Sequence, residues 1–263
     1  MLFKYLSFLH DNYHNMEQEA GVRRRRLFGS QVAQFFFPQR HCLICGKISE
    51  ETGPCGVCAG ELADLHHCEI CAAFVAAPGI CANCAHNRPL FGQARAAAPY
   101  GGSLRDSLLG FKYQEKTWLR RPLAALLAWA YEQHYQDMAF SAVVPIPLAA
   151  LRYKERGYNQ SEMVSGLLAA EFGLNHSPNL LVRVEDTPPL ASYDGAQRRL
   201  LLKGAFAAQA AAGQTVLLID DIYTSGATFN TCSEVLLAAG AKAVYGLTIA
   251  AYDNRGEKKE DRS

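Results

Sequence analysis

The sequence predicts an α/β protein, a parallel sheet flanked by helices, preceded by a cysteine-rich segment that holds metal. Three observations carry this. Ala142-Val143-Val144-Pro145-Ile146, Thr215 to Ile219 and Ala243 to Ala250 read as apolar strands, and the last two flank a helical stretch, Thr228 to Ala239, that ends on a glycine. Strand–helix–strand alternation of this kind favours parallel pairing through right-handed crossovers. Eight of the nine cysteines fall into four CxxC pairs. The composition, 49% apolar and 19% charged over 263 residues, supports a sizeable core and excludes a mainly disordered chain.

Residues 1–34 read as an extension outside the fold. They combine a Tyr-, His- and Asn-rich start with four consecutive arginines, Arg23 to Arg26, and Met16 offers an alternative start. Residues before about 27 are expected to be frayed or spurious. The arginines followed by LFGSQVAQFFF are the most signal-like stretch, but it is short, broken by Gln and Ser, and leads straight into cysteines. No run of 18 apolar residues occurs, so no membrane span is expected and the chain reads as cytoplasmic. Residues 35–90, rich in Gly and Pro, read as knuckles and short hairpins around the cysteines. Residues 91–252 hold the α/β domain. Its first part carries Leu104, Leu108, Leu109 and Phe111, then Leu119, Leu123, Leu126, Leu127 and Trp129, at helical spacing. Ser161 to Phe172 reads as a further helix, and residues 253–263, with their EKKEDRS run, as a solvated tail.

The cysteine pairs are Cys42/Cys45, Cys55/Cys58, Cys68/Cys71 and Cys81/Cys84, each starting 13 residues after the last. Zinc takes four soft ligands at tetrahedral corners, with sulfurs about 2.3 Å away. One CxxC turn supplies two ligands from a tight loop whose amides can hydrogen-bond the thiolates, so four turns make two sites. Sequential pairing puts Cys42, Cys45, Cys55 and Cys58 in one site and Cys68, Cys71, Cys81 and Cys84 in the other, and costs least in loop closure. Interleaved pairing satisfies the same spacings. With every position filled the zinc is structural rather than catalytic, and the two sites describe a double zinc ribbon. An iron–sulfur cluster, disulfides or redox CxxC chemistry stay open for the same residues. His41, His66, His67 and His86 lie nearby and read as surface residues; Cys232, mid-helix among apolar neighbours, reads as a buried inert thiol.

A second signal is the string Val216-Leu217-Leu218-Ile219-Asp220-Asp221-Ile222-Tyr223-Thr224-Ser225-Gly226-Ala227-Thr228. A buried strand runs into two acids and then into a small, hydroxyl-rich loop that opens a helix. Loop amides, hydroxyls and the helix N-terminus converge on one point and make a phosphate cradle, with Gly226 allowing close backbone approach. Two carboxylates beside such a cradle repel a second phosphate and suit sugar hydroxyls or a bridging Mg²⁺. Together they describe a ribose 5-phosphate site; an ordinary strand-to-helix turn with an N-cap is the plainer reading of the same residue types. Charge is less informative, since 26 Lys and Arg against 25 Asp and Glu leave no global field for polyanions. Locally, Arg105, Lys112, Lys116, Arg120 and Arg121 interleave with Phe111, Tyr113 and Trp118. Charge neutralisation plus stacking is what single-stranded DNA binding uses; the competing reading is an aromatic core and a solvated basic helix face.

The 216–228 string resembles the phosphoribosyl-pyrophosphate signature of type I phosphoribosyltransferases, and with the cysteine segment the chain resembles the ComF family of competence-associated proteins. The likeness spans roughly residues 35–252 and draws also on Gly110-Phe111-Lys112-Tyr113 and on Val143 to Pro147 followed by Arg156-Gly157-Tyr158-Asn159-Gln160. A third segment is Thr187-Pro188-Pro189, with Arg198, Arg199 and Lys203 to Phe206 after it. Leu190 and Leu201 depart from the pattern, standing where Gln and Asn are usual. The resemblance implies a type I phosphoribosyltransferase-like sheet, with Asp220 and Asp221 on the ribose hydroxyls and Thr224, Ser225, Gly226, Ala227 and Thr228 on the 5-phosphate. It implies that the loop from Arg152 to Gln160 binds pyrophosphate, with Arg152, Lys154 and Arg156 as counter-charges, and that Mg²⁺ accompanies phosphoribosyl pyrophosphate. The implied role is DNA uptake in natural transformation, with single-stranded DNA bound in the cytoplasm. The implied ligand is phosphoribosyl pyrophosphate or a similar ribose phosphate, and a helicase or DNA-uptake protein is a further partner. A phosphoribosyltransferase with an unidentified acceptor is the alternative, although no hood for a second substrate and no N-terminal nucleophilic cysteine is legible.

Overall fold

The computed structural model describes residues 41–51, 53–187, 193, 195–253 and 255. The expected N-terminal extension with Arg23–Arg26, then Pro188, Pro189 and Leu190, and the tail apart from Asp253 and Arg255, lie outside the described residues. All described residues belong to one compact unit, Arg40–Ser263. The cysteine-rich segment contributes α1 (Gly56–Ala63), β1 (His66–His67), β2 (Phe74–Val75) and α2 (Ala82–His86). Then follow β3 (Gln93–Pro99), α3 (Gly102–Tyr113), α4 (Arg120–Tyr135), β4 (Ala142–Pro145), α5 (Ala150–Arg156) and α6 (Gln160–Phe172). The chain continues through β5 (Leu181–Arg183), α7 (Gly195–Leu202), β6 (Phe206–Ala208), β7 (Thr215–Tyr223), α8 (Ala227–Ala238) and β8 (Ala243–Ala251).

β3, β8, β7 and β4 lie side by side in that order, every pair parallel, which is the expected sheet. β1 with β2 and β5 with β6 pair antiparallel apart from it. The residues of β7 show how the sheet is held. Val216 and Leu218 enter one core and Leu217 and Ile219 the other, all without exposure, as a strand covered on both faces requires. The first core is closed by Phe229, Cys232 and Leu236 of α8 together with Cys68, Cys71, Phe74 and Cys84 of the cysteine-rich segment. Gly246 lets α8 come this close: a Cβ there would stand 2.6 Å from the Phe229 ring. The second core is closed by Leu108 of α3, Leu123 and Leu127 of α4, and Val164 and Leu168 of α6, with Leu43 and Leu62 from the first half of the cysteine-rich segment.

This arrangement decides where a ligand can sit. The connection leaving β4 packs its α6 on one face, and the connection leaving the neighbouring β7 packs its α8 on the other. Where adjacent parallel strands send their crossovers to opposite faces, a crevice opens at their carboxyl ends.

Three elements differ from the sequence reading. Gln93–Pro99 is an edge strand of the sheet, though alanine has little β preference. Small side chains are what its position needs, since Ala94, Ala96, Ala97 and Ala98 are all at most 2% exposed between the two layers. β7 runs past Ile219 to Tyr223, so Asp220 and Asp221 lie within the strand, Asp220 in register with Thr248. Finally, Arg152 to Arg156 are not loop: Ala150–Arg156 is a short helix that ends at Gly157 with φ +80°, its ALRYKER composition being good helix former throughout most of its length.

Candidate ligand cleft and metal sites

The crevice between β4 and β7 is a cleft of about 290 Å³. Ile146 to Ala149, leaving β4, line one side; Asp220 and Asp221 from β7 and Thr228 from α8 line another. Asp220 Oδ1 accepts from Ser161 Oγ at 2.9 Å and from the Asp221 amide at 2.9 Å. Asp221 is 7% exposed, and Lys112 Nζ stands 2.9 Å from its Oδ2. Withdrawal from water, and then the neighbouring Asp221, raise the Asp220 carboxyl from 3.8 to about 7, although Lys112 pulls the other way. Burial works to lower the Lys112 pKa, but the Asp221 and Asp220 carboxylates outweigh it and the net shift is upward.

Lys112 is therefore placed differently from its expected setting in a DNA-facing cluster: it is the counter-charge of the twin acids. Arg152 and Arg156 do line the cleft, from α5, and Arg183 joins them. Four cations thus face two carboxylates, an excess that suits an anionic ligand. The Arg156 guanidinium lies over the Tyr113 ring, 5.3 Å from its centroid. A second depression of about 140 Å³ shares Lys112, Tyr113, Arg152 and Arg156 with the first. Lys154 is exposed and outside the cleft lining.

At the start of α8, Gly226 caps the helix at φ +76°. Thr224 is exposed and its Oγ1 accepts from Arg198 Nη1 at 2.8 Å, while Ser225 Oγ accepts the Ala227 amide at 3.4 Å. Of the five expected phosphate-loop residues, Thr228 is the one that reaches the cleft lining. Among the basic cluster, Arg105 and Arg121 are exposed and Lys116 and Arg120 half-buried. Phe111 is core, whereas Tyr113 and Trp118 are 63% and 65% exposed.

Sequence reasoning gave no role of its own to three side chains. Arg183 follows an apolar strand and carries no signal of its own. Arg198 reaches Thr224 from a helix separated from it by two strands. Gln160 opens α6 between two satisfied neighbours: Asn159 Nδ2 donates to the Ile146 carbonyl at 3.1 Å and its Oδ1 accepts the Ser161 amide at 3.1 Å. Gln160 itself is 2% exposed, lines the cleft, and its Nε2 is the one buried side-chain N or O atom without a partner among the described residues.

The cysteines form two clusters, Cys42, Cys45, Cys55 and Cys58, and Cys68, Cys71, Cys81 and Cys84, with all sulfurs in each within 4.8 Å of one another. This is the sequential pairing. Tetrahedral Zn–S bonds of about 2.3 Å put sulfurs about 3.8 Å apart. Cys45 and Cys55 stand at 3.9 Å and Cys71 and Cys81 at 3.8 Å, against about 2.05 Å for a disulfide. The clusters fit zinc. Cys55 and Cys81 are also the N-cap residues of α1 and α2, and their amides donate to Cys42 Sγ at 3.4 Å and Cys68 Sγ at 3.3 Å. Although burial opposes it, these and neighbouring amide hydrogen bonds bring Cys42 and Cys68 down to about 7, toward the thiolate that a metal needs. His67 is not a surface residue: its Nε2 lies 3.0 Å from the Ala96 carbonyl, and burial beside His134 takes it down to about 3. Cys232 is fully buried, as expected.

No protein-family model matches the chain. It is 28% identical to competence protein F of Haemophilus influenzae, over 80% of this chain and 90% of that protein. It is 34% identical to competence protein ComFC of Streptococcus pneumoniae, over 57% of this chain and 64% of the relative, just under two thirds of its length. DNA utilization protein YhgH of Salmonella typhimurium is 25% identical over 73% of this chain and 87% of its own. Among solved structures, adenine phosphoribosyltransferase from Saccharomyces cerevisiae aligns with 53% of this chain and 80% of its own at 13% identity and a TM-score of 0.34. No helix among the described residues is long and apolar enough to cross a membrane.

Proposed function

Because this chain belongs to the ComF/ComFC competence protein family, we propose that it serves DNA uptake in natural transformation. It binds single-stranded DNA in the cytoplasm and holds phosphoribosyl pyrophosphate, or a similar ribose phosphate, in the cleft between β4 and β7. One observation supports the ligand above all others: Asp220 and Asp221 share a single cleft with Thr228 and with Lys112, Arg152, Arg156 and Arg183. Carboxylates accept from ribose hydroxyls, guanidinium groups neutralise pyrophosphate, and the first amides of α8 face a 5-phosphate. Mg²⁺, brought in with the pyrophosphate, fits the same acids, which supply the hard oxygen ligands it prefers.

The DNA half draws on the competence and DNA-utilization names of the relatives and on the exposed rings of Trp118 and Tyr113 beside the basic cluster. Bases stack on such rings while cations meet phosphates. Fluorescence anisotropy of a labelled single-stranded oligonucleotide tests it with zinc-loaded protein. Binding is expected to weaken steeply with salt, and Trp118→Ala to weaken it roughly tenfold. Absent or salt-insensitive binding overturns the DNA half. The same preparation is expected to melt at higher temperature with phosphoribosyl pyrophosphate and Mg²⁺; an unchanged melting curve counts against the ligand half.

A further inference from the structure

Lys112 borders two spaces at once. In the cleft its Nζ stands 2.9 Å from Asp221 Oδ2, both side chains being largely withdrawn from water. It also lines the second depression, whose acidic members are Glu115 and Glu155. Both glutamates are exposed, and neither is in an ion pair among the described residues. Glu115 is held at φ +53°, the one described non-glycine residue with a positive φ. That backbone conformation is costly and persists where the surroundings or a function demand it. The backbone beneath Lys112 is anchored: Phe111 is fully buried, its ring centroid lies 5.5 Å from that of Tyr158, and its carbonyl accepts from the Tyr158 hydroxyl. What is free to turn is the four-carbon stem of the lysine.

Asp221 Oδ2 cannot serve the ammonium and a divalent cation together. Mg²⁺ bonds a carboxylate oxygen at about 2.1 Å, so on Oδ2 it would stand roughly 4 Å from Nζ, and like charges that close in a half-closed cleft repel. Asp220 is partly spent as well, its Oδ1 accepting from Ser161 Oγ and from the Asp221 amide. We propose that Lys112 is an exchangeable counter-charge that makes metal binding conditional on the ligand. It keeps Asp221 neutralised against free divalent cations, yields it to Mg²⁺ that arrives on a pyrophosphate, and turns toward Glu115 and Glu155. This rests on the ribose-phosphate reading of the cleft. A bare divalent ion has to expel the ammonium from a cleft that Arg152, Arg156 and Arg183 already make cationic. A pyrophosphate carries the negative charge those arginines attract, so the metal enters as part of a net anion. The two glutamates next door then offer the ammonium a new partner.

Mn²⁺, which stands in for Mg²⁺ and is read by electron paramagnetic resonance, is titrated into zinc-loaded full-length protein. Little uptake is expected from the parent or from Lys112→Arg. Lys112→Met is expected to take up one Mn²⁺ about tenfold or more tightly than the parent, and to lose it when Asp221→Asn is added. Because Lys112→Met strips a buried acid of its partner, the parent protein is also tested by itself. Its lysines are labelled with an amine-reactive reagent and read by mass spectrometry, with and without phosphoribosyl pyrophosphate and Mg²⁺. Labelling of Lys112 is expected to rise about threefold or more as the ammonium leaves Asp221, against unchanged labelling of the lysines outside the cleft. If the parent takes up Mn²⁺ alone as tightly as Lys112→Met does, or if the ligand binds and Lys112 labelling does not rise, the exchange is overturned and the cleft reading stands. If phosphoribosyl pyrophosphate with Mg²⁺ does not bind the parent at all, the cleft reading falls and the exchange falls with it.

Discussion

Replacing Gln160 with methionine is expected to make the protein more stable and its cleft a poorer binder. Gln160 is 2% exposed and its Nε2 has no partner. A buried donor left unpaired costs about 1–3 kcal/mol of desolvation. Methionine has a similar length and a similar helix propensity, so it keeps the start of α6 and removes the amide. The folded state is then expected to gain about 1–2 kcal/mol, which for a unit of this size raises Tm by roughly 2–8 °C. If the amide is kept because it donates to a ligand oxygen, the same change removes one hydrogen bond to an anionic ligand. That loss is about 1–2 kcal/mol, or roughly 5- to 30-fold in Kd. Urea denaturation and ligand titration of the two proteins, side by side, are the assays. A methionine variant less stable than the parent, with unchanged ligand affinity, refutes the reasoning: Gln160 would then be satisfied within the protein and have no part in the cleft.

The remaining predictions concern charge and metal. Lys112→Met leaves Asp221 without its partner at 2.9 Å and is expected to cost about 3–5 kcal/mol at pH 8, with a smaller loss at pH 5, where Asp220 is protonated; denaturation at the two pH values measures both. In the parent protein Asp220 is raised to about 7 from 3.8, so the folded state binds more protons than the unfolded one between those values. Its contribution is complete below about 4 and lost as pH rises through about 7, and Asp220→Asn should flatten that slope; a parent protein that gains stability from pH 5 to pH 7 through this group contradicts the assignment. Mass spectrometry under native conditions is expected to find two zinc ions per chain, and Cys58→Ala and Cys84→Ala one each, because the sulfurs divide into two separate groups of four.

The site was legible in the sequence where residue types and spacing act locally. CxxC pairs 13 residues apart name their own chemistry, and the lower loop-closure cost correctly chose sequential pairing. The strand-acid-acid-loop-helix string lies, as read, at the end of β7 and the start of α8, because a strand covered on both faces needs apolar residues and the left-handed bend before α8 needs a glycine. Legibility failed where the third dimension decides. Gln93–Pro99 carries no strand signal, because its alanines are chosen by the space between two layers rather than by β propensity. Lys112 reads as one more basic residue on a helix, and only the approach of α3 to the end of β7 turns it into the partner of Asp221. Arg152 and Arg156 line the cleft although their segment reads as loop; helical spacing four residues apart puts both on the face that meets the cleft, while Lys154 lies between them and outside it. Of the expected phosphate loop only Thr228 lines the cleft, and Gln160, which also lines it, reads in the sequence as an ordinary helix-start residue.

Isothermal titration of phosphoribosyl pyrophosphate with Mg²⁺ into the zinc-loaded protein tests the central claim most directly. One equivalent of saturable heat is expected, lost when Asp220 and Asp221 are both changed to Asn and weakened when Arg156 is changed to Ala. Heat that survives the double Asn substitution places the ligand elsewhere on the molecule, and no heat from the parent protein removes the sugar phosphate from the cleft altogether.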